Sequence, residues 1–420
     1  MTIGRIGIGR SGIGSLGIGV SGIPPVVIPS GARDFYDFSQ LNANAAILEL
    51  VGKVNTLSTV RASNKNVIKL NGSSITYGLN VAGLISGDGL LGEGSATAEN
   101  NDSNIVNGGW GDQGVTSLGS QLVKNGYTFG RLDEDTSNGR HSQFIAYTPA
   151  IGDATAQMII SRGTSQFGYL GVAQNGGIGS ITIIFDMDAV TVTQINEGND
   201  RKHISSFIKE ISTDIFHVSL SHTDTTGASP SFLVAGMSNS GVPVKDASFI
   251  PVYTGTDKTM FFAKRMITLK EFPNSFILTS SAPATRAADD LSISTSNWVD
   301  ESRIGLYGLS LQTTISNQVL WESGDSSLSW NGTNLVADIN GTTATIAVAD
   351  PTTLSSAYWE YDDNGDLFAI ADGVRGTGVA SSAPSFGSNA NLLSDELVAN
   401  HAQGVAGKFI VQDPTKAIIT

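Results

Sequence analysis

Beyond residue 100 the chain alternates short apolar runs with tight-turn signals, and this rhythm limits the fold more than anything else in its 420 residues. Lys124-Asn125-Gly126-Tyr127 separates Gln-Leu-Val from Thr-Phe-Gly-Arg-Leu, the pattern of a hairpin closed by a type I′ turn. Ser180-Ile-Thr-Ile-Ile-Phe-Asp186 alternates poorly but is dense in Ile, as a strand buried on both faces would be. Ile215 to Leu220, Ser231 to Gly236 and Met260 to Thr268 read as further strands. Many short strands with few helical periods argue a sandwich of two antiparallel sheets. Composition agrees. Charged residues make up 15% of the chain and Gly contributes 49 positions, a poor stock for helices and too apolar for general disorder.

Several function classes drop out early. Cysteine is absent, which removes disulfide scaffolds, Cys-ligated zinc, iron–sulfur clusters and thiol nucleophiles. The net charge is −14, from 24 basic and 38 acidic residues, so no basic footprint for nucleic acid exists outside the first residues. No uninterrupted apolar stretch approaches the ~18 residues of a membrane span, so no membrane insertion is expected.

Residues 1–33 differ from everything after them. They carry Arg5, Arg10 and Arg33 and no acid, which makes the arm +3 and the remaining body −17. A ten-residue repeat runs Ile6-Gly-Ile-Gly-Arg-Ser-Gly-Ile-Gly-Ser15, then Leu16-Gly-Ile-Gly-Val-Ser-Gly-Ile-Pro-Pro25. Both copies contain G-x-G-x-x-G, but Gly7 has no room for a preceding strand and Pro24-Pro25 closes the second copy. A dinucleotide fingerprint is therefore rejected, and no cofactor is expected. In an extended chain, Ile6 with Ile8 and Leu16 with Ile18 each line one face, opposite bare Gly. So little side chain makes no core of its own, and the arm is expected to be ordered by docking on a partner through Arg5, Ile6, Ile8, Arg10, Leu16 and Ile18. A flexible tail is the alternative.

From Asp37 the spacing predicts a helix. Asp37 with Gln40 fits a capping box, and Ile47, Leu50, Val54 and Leu57 follow at alternating three and four. That seam either packs on the body or lines an oligomer axis. Residues 66–94 read as short strands.

Residues 110–300 also resemble a known family. Trp110 is followed by Gly114-Val-Thr116, then by Arg131-Leu-Asp-Glu-Asp-Thr-Ser-Asn-Gly-Arg-His141, similar to an "L-x-E-D-T-x-N-G-x-H" stretch. Phe185-Asp186 matches a mid-domain strand, and Phe272-Pro-Asn-Ser-Phe276 with Ala284-Thr-Arg-Ala-Ala-Asp289 looks like a closing "F-P-T-S-Y-I-P-T… T-R-A-A-D" signature. These motifs are similar to the jelly-roll, carbohydrate-binding-module-like domain of tailed-phage fibres and other virion surface proteins. Two departures stand out: Phe216-His217-Val218 replaces a Trp-Tyr-Arg type motif, and Phe276 replaces Tyr. Residues 301–420 hold two more Asn-Gly hairpin signals, at 329–334 and 361–367, and with Trp321-Glu-Ser323 they resemble lectin-like, laminin-G-type sandwiches.

The expected fold is therefore mainly β, a jelly-roll β-sandwich followed by a second smaller β-sandwich-like domain, with an extended Gly/Ile-rich arm and one short helix. The expected units are 1–33, the docking arm; 34–94, a helix and β linker; 95–300, the jelly roll; and 301–420, a lectin-like C-terminal β domain. No G-x-S-x-G elbow, P-loop or H-E-x-x-H occurs, so no catalytic residue is assigned. His217 and His222, five apart in a strand, should point to opposite faces, which disfavours a shared metal. Asp362-Asp-Asn-Gly-Asp366 has the acids of a calcium loop, but Leu367 stands where Gly is needed and no Glu closes it, so a plain hairpin turn is favoured. No metal site follows. Sugar binding needs flat aromatic platforms, for which Trp110, Tyr147, Phe167 and Tyr169 are the candidates, with sandwich core as their alternative role.

The resemblance implies a structural, non-enzymatic protein on a virion surface, a tail or head fibre or spike. Its implied partners are capsid, portal or tail proteins, further copies of itself in a homotrimer, and host-surface polysaccharide. A purely architectural decoration protein and a glycan-degrading spike are the rivals.

Overall fold

The computed structural model describes most of residues 96–393, leaving aside 101–109, 175–178, 271–272, 274–275, 278, 280–281, 287–289, 297, 300–301 and 312–317. Outside that span it describes 32–37, 49–51, 58–60, 65–68, 74–77, 84–85, 89–92, 404–412 and 415. The docking arm through residue 31 thus lies outside the described residues, as do Ile47, Val54 and Leu57 of the expected seam.

Strands dominate, and all their pairings are antiparallel. Two sandwiches account for most of them. In the first, the front sheet runs Thr191–Glu197, Ile181–Asp186, Phe167–Gln174, Ser231–Ser238, Ser142–Tyr147, Gly111–Gln113. The back sheet runs Val115–Lys124, Tyr127–Glu134, Thr259–Thr268, Gly152–Arg162, Ile215–Asp224, Arg201–Ser212. Successive strands pair with successively earlier partners: 127–134 with 259–268, 142–147 with 231–238, and 152–162 with 215–224. Because these nested pairs alternate between sheets, the chain wraps around its own core in jelly-roll fashion.

Period-two alternation fills that core. Met158 and Ile160, Ile181, Ile183 and Phe185, and Phe216, Val218 and Leu220 all meet between the sheets. The Ile-dense strand departs from simple alternation because Ile184 is also fully buried, on the outer side of the front sheet with Tyr169 and Val234. A strand covered on both faces has no polar side to show.

The second sandwich joins distant parts of the sequence. One sheet orders Glu49–Val51, Ala32–Asp37, Gly404–Gln412, Ser302–Leu311, Ser356–Tyr361, Asp366–Ala371, Val374–Arg375. The other orders Thr342–Ala347, Asn334–Ile339, Ser326–Trp330, Gln318–Ser323, Asn389–Leu392, Asp290–Ser294, Ser58–Val60. Trp298, Trp321 and Trp359 pack edge to face in its core, with centroids 5.7 and 5.8 Å apart. Residues taken from sequence as a helix and linker therefore supply strands to this sandwich, and the jelly roll is inserted between them and their partners. Ala96–Ala98 pairs with Ala284–Arg286 where the chain enters and leaves the insert.

The expected helix is corrected by these pairings. Leu50 lies in a strand whose neighbour Ala32–Asp37 is held by Gly404–Gln412, so the three-four spacing of apolar residues is overridden by tertiary pairing. Among the described residues the one helical element is a single 3₁₀ turn, Pro351–Thr353, capped by Asp350. None is long and apolar enough to cross a membrane.

Candidate ligand-binding groove

The outer face of the front sheet carries an opening lined by two aromatic rings. In Ser142–Tyr147, Ile145 and Tyr147 face the sandwich core, which turns Phe144 outward. Ladder register then sets Phe144 opposite Val234 and Ala146 opposite Phe232, so the two phenyl rings are diagonal neighbours. They meet edge to face, centroids 5.8 Å apart at 85°. The Phe144 ring lies over the backbone of Gly111, where any Cβ would come within 2.5 Å of it. Both rings pack against an apolar cluster of Tyr169, Ala173, Ile184, Val234 and Ile250.

Ile250 belongs to the loop after Ser231–Ser238, which folds back over part of this face. Asp246 fixes that loop. Its Oδ1 accepts the backbone N–H groups of Ser248 at 2.8 Å and Ile250 at 3.2 Å, and its Oδ2 accepts Arg140 Nε–H. Between the loop and the Gly111–Gln113 edge an opening of about 150 Å³ remains. Phe144 and Phe232 line it, together with Gln113, Arg140, Gln174 and Ser248. Among the described residues the side chains of Gln113 and Gln174 and the Ser248 hydroxyl make no hydrogen bond, and Arg140 spends only its Nε, on Asp246. Apolar rings flanked by unspent polar groups can accept a small polar ring.

The aromatic candidates named from sequence do not converge here. Trp110 is half-buried and stacks on the Arg265 guanidinium, 3.6 Å from its ring centroid, while Arg265 also donates to Gln143. Tyr147 is buried in the sandwich core, where burial pushes its hydroxyl pKa up. Tyr169 is fully buried in the cluster against which the two phenyl rings pack and offers no face to a sugar. Phe167 is half-buried on the same strand. For Tyr147 and Tyr169 the stacking role is corrected to core, since aromatic area is most stabilising where water is excluded. Phe144 and Phe232 were missed. Alternation marks each as outward once its strand's inward set is known, but nothing local says that the two strands are neighbours.

The stretch from Arg131 to His141 is scaffold. Glu134 is buried and accepts hydrogen bonds from the Tyr253 hydroxyl (2.7 Å) and the Thr256 backbone (2.6 Å) and hydroxyl. Burial raises its carboxyl pKa, but these bonds outweigh that and hold it below the ordinary value. His141 is also buried, its Nδ1 2.7 Å from Gly114 O and its Nε2 3.1 Å from Tyr253 O. Asp133 pairs with Arg131, and Asp135 accepts from Ser137, so three consecutive acids serve three separate local contacts. Asn138–Gly139, although an Asn-Gly dipeptide, is a short strand paired with Tyr253–Thr254 and not a tight turn.

His217 and His222 do face opposite sides. His217 packs against Phe207 and Phe276, whereas His222 lies inside near Arg201 and Asp224. Asp362 Oδ1 accepts the backbone N–H groups of Asn364 and Asp366, as a hairpin turn requires. No group of three or more metal-ligating side chains occurs among the described residues.

No family model matches the chain, and no curated protein matches it. Among solved structures, domains LG4-5 of the mouse laminin alpha1 chain are similar over 72% of this chain and 94% of that one, at 12% identity and a TM-score of 0.21.

Proposed function

We propose that this chain is a structural protein of a tailed-phage-like virion, anchored by its N-terminal arm and touching host-surface glycan through the groove on the front sheet. The groove carries this reading: two outward phenyl rings beside Gln113, Gln174 and Ser248, whose side chains have no hydrogen bond among the described residues, and Arg140, which gives only its Nε to Asp246. The virion setting draws its support from the sequence resemblance of residues 110–300 and from an arm whose aliphatics its own Gly-rich strand cannot bury. Self-association belongs to the proposal, because a site for one sugar ring binds weakly alone and gains avidity when several copies engage one surface.

The groove is tested on a glycan array with the full chain. Binding to at least one glycan class is expected, with Phe232→Ala lowering it about tenfold or more, since a buried aromatic contact is worth roughly 1–3 kcal/mol. Silence across the array would favour an architectural role. Deleting residues 2–25 should leave the sandwiches folded yet abolish incorporation into particles, checked by co-purification with particles lacking the wild-type copy. Normal incorporation would end the anchoring idea.

A further inference from the structure

Arg140 is the one charged side chain lining the groove among the described residues, and its setting is unlike that of the buried Arg201. Arg201, deep in the sandwich, spends all three nitrogens, on Asp224, Ser231 and the Gly179 carbonyl. Arg140 gives only its Nε, to a carboxylate already fixed by two backbone amides. That contact sets the plane of the guanidinium and leaves both terminal nitrogens, with four N–H donors, unspent beside the two phenyl rings. A guanidinium held at one edge and open at the other is preorganised for a planar anion. Asp246 itself does not line the opening.

The size of the opening narrows the ligand. About 150 Å³ is well below the roughly 300–1,000 Å³ of pockets for drug-sized molecules, so it suits one sugar ring, not a run of them. Resting on the glycan-binding reading above, we infer that the groove selects an acidic sugar residue, with its carboxylate on the terminal nitrogens of Arg140 and its ring against Phe144 and Phe232. Gln113, Gln174 and Ser248 then meet the ring hydroxyls.

The wild-type full chain tests this without any variant. Calorimetric titration with a glucuronate-containing oligosaccharide is compared with the same oligosaccharide after reduction of its carboxyl groups, at low and at moderate salt. The acidic form should bind about tenfold more tightly or better, with the advantage shrinking as salt rises. Arg140→Gln, shown to melt like wild type, should bring the two affinities together, whereas Phe232→Ala should weaken both. A sulfated analogue separates carboxylate recognition from general anion attraction, and tighter binding of the sulfate would overturn the carboxylate assignment. Equal wild-type affinity for the acidic and reduced forms overturns the inference while leaving glycan binding intact. Absence of binding to either form, together with a silent array, overturns both.

Discussion

Two histidines, His222 buried and His217 half-buried, give the protein an acid limit that its surface does not reveal. Burial is the main cause in each case, with the charges of Lys209 and Arg201 adding to it, and it pushes His217 down to about 4 and His222 down to about 3. An unfolded imidazole titrates near 6.5. Below that pH the unfolded chain takes up protons that the folded chain refuses, so the stabilisation present above pH 6.5 is lost as pH falls toward 4 and then 3. Glu134 and Asp224, both held below the ordinary carboxylate value, add their own loss only below about pH 4. His222 is the sharper probe because neither ring nitrogen has a hydrogen-bond partner. His222→Leu gives up no hydrogen bond and should flatten the fall in melting temperature between pH 6.5 and 4. Thermal melts at several pH values decide it, and an unchanged slope would show that His222 is not the group responsible.

Elements in this fold are set as much by their turns as by their strands, and the turns sort the legible from the illegible. Asn125 and Gly126 adopt φ of 50° and 78°, the left-handed pair that the Asn-Gly signal implies. Gly365, at φ 82°, holds the hairpin between Ser356–Tyr361 and Asp366–Ala371. Gly139 answers to the same dipeptide but lies in a strand with open space where a Cβ would stand. Gly365→Val should therefore cost roughly 1–3 kcal/mol while Gly139→Val costs little, because only the first forces a β-branched residue to positive φ. Chemical denaturation of the two variants measures the difference, and equal losses would contradict it. Asn-Gly thus reported turns wherever the flanking apolar runs met as neighbours, and it failed at Asn138, whose partner Thr254 lies more than a hundred residues away. The groove was illegible for the same reason. Phe144 and Phe232 are 88 positions apart in sequence, and only the ladder between their strands makes them a pair. A flat aromatic ring such as Trp110, Tyr147 or Tyr169 suits a surface platform and a sandwich core alike, so residue type does not distinguish the two.

At the scale of the whole molecule, one sandwich interrupts the other. Residues 96–286 enclose their own core, whereas the second sandwich needs strands from 32–92 beside Gly404–Gln412 and Asp290–Ser294. A fragment of 96–286 should fold alone with a cooperative melt. A fragment of 290–420 should not, since the edge of Gly404–Gln412 that pairs with Ala32–Asp37 would be bare and prone to self-association. Co-expression with 32–92 should restore its solubility. A monomeric, cooperatively folded 290–420 fragment would show that those N-terminal strands are dispensable.

The insertion also has a mechanical side. A domain at the end of a chain hangs from one peptide strand and can swivel about it, whereas this insert is joined by two, which leave it as the paired Ala96–Ala98 and Ala284–Arg286. Tension between the two sandwiches divides over both backbones, and because both strands are pulled the same way, the ladder between them is not peeled open. Rotation of the insert about the pull axis would have to twist two tethers around each other. A tip that grips a surface while its base is held under load thus meets a torsional restraint that a single linker would not provide.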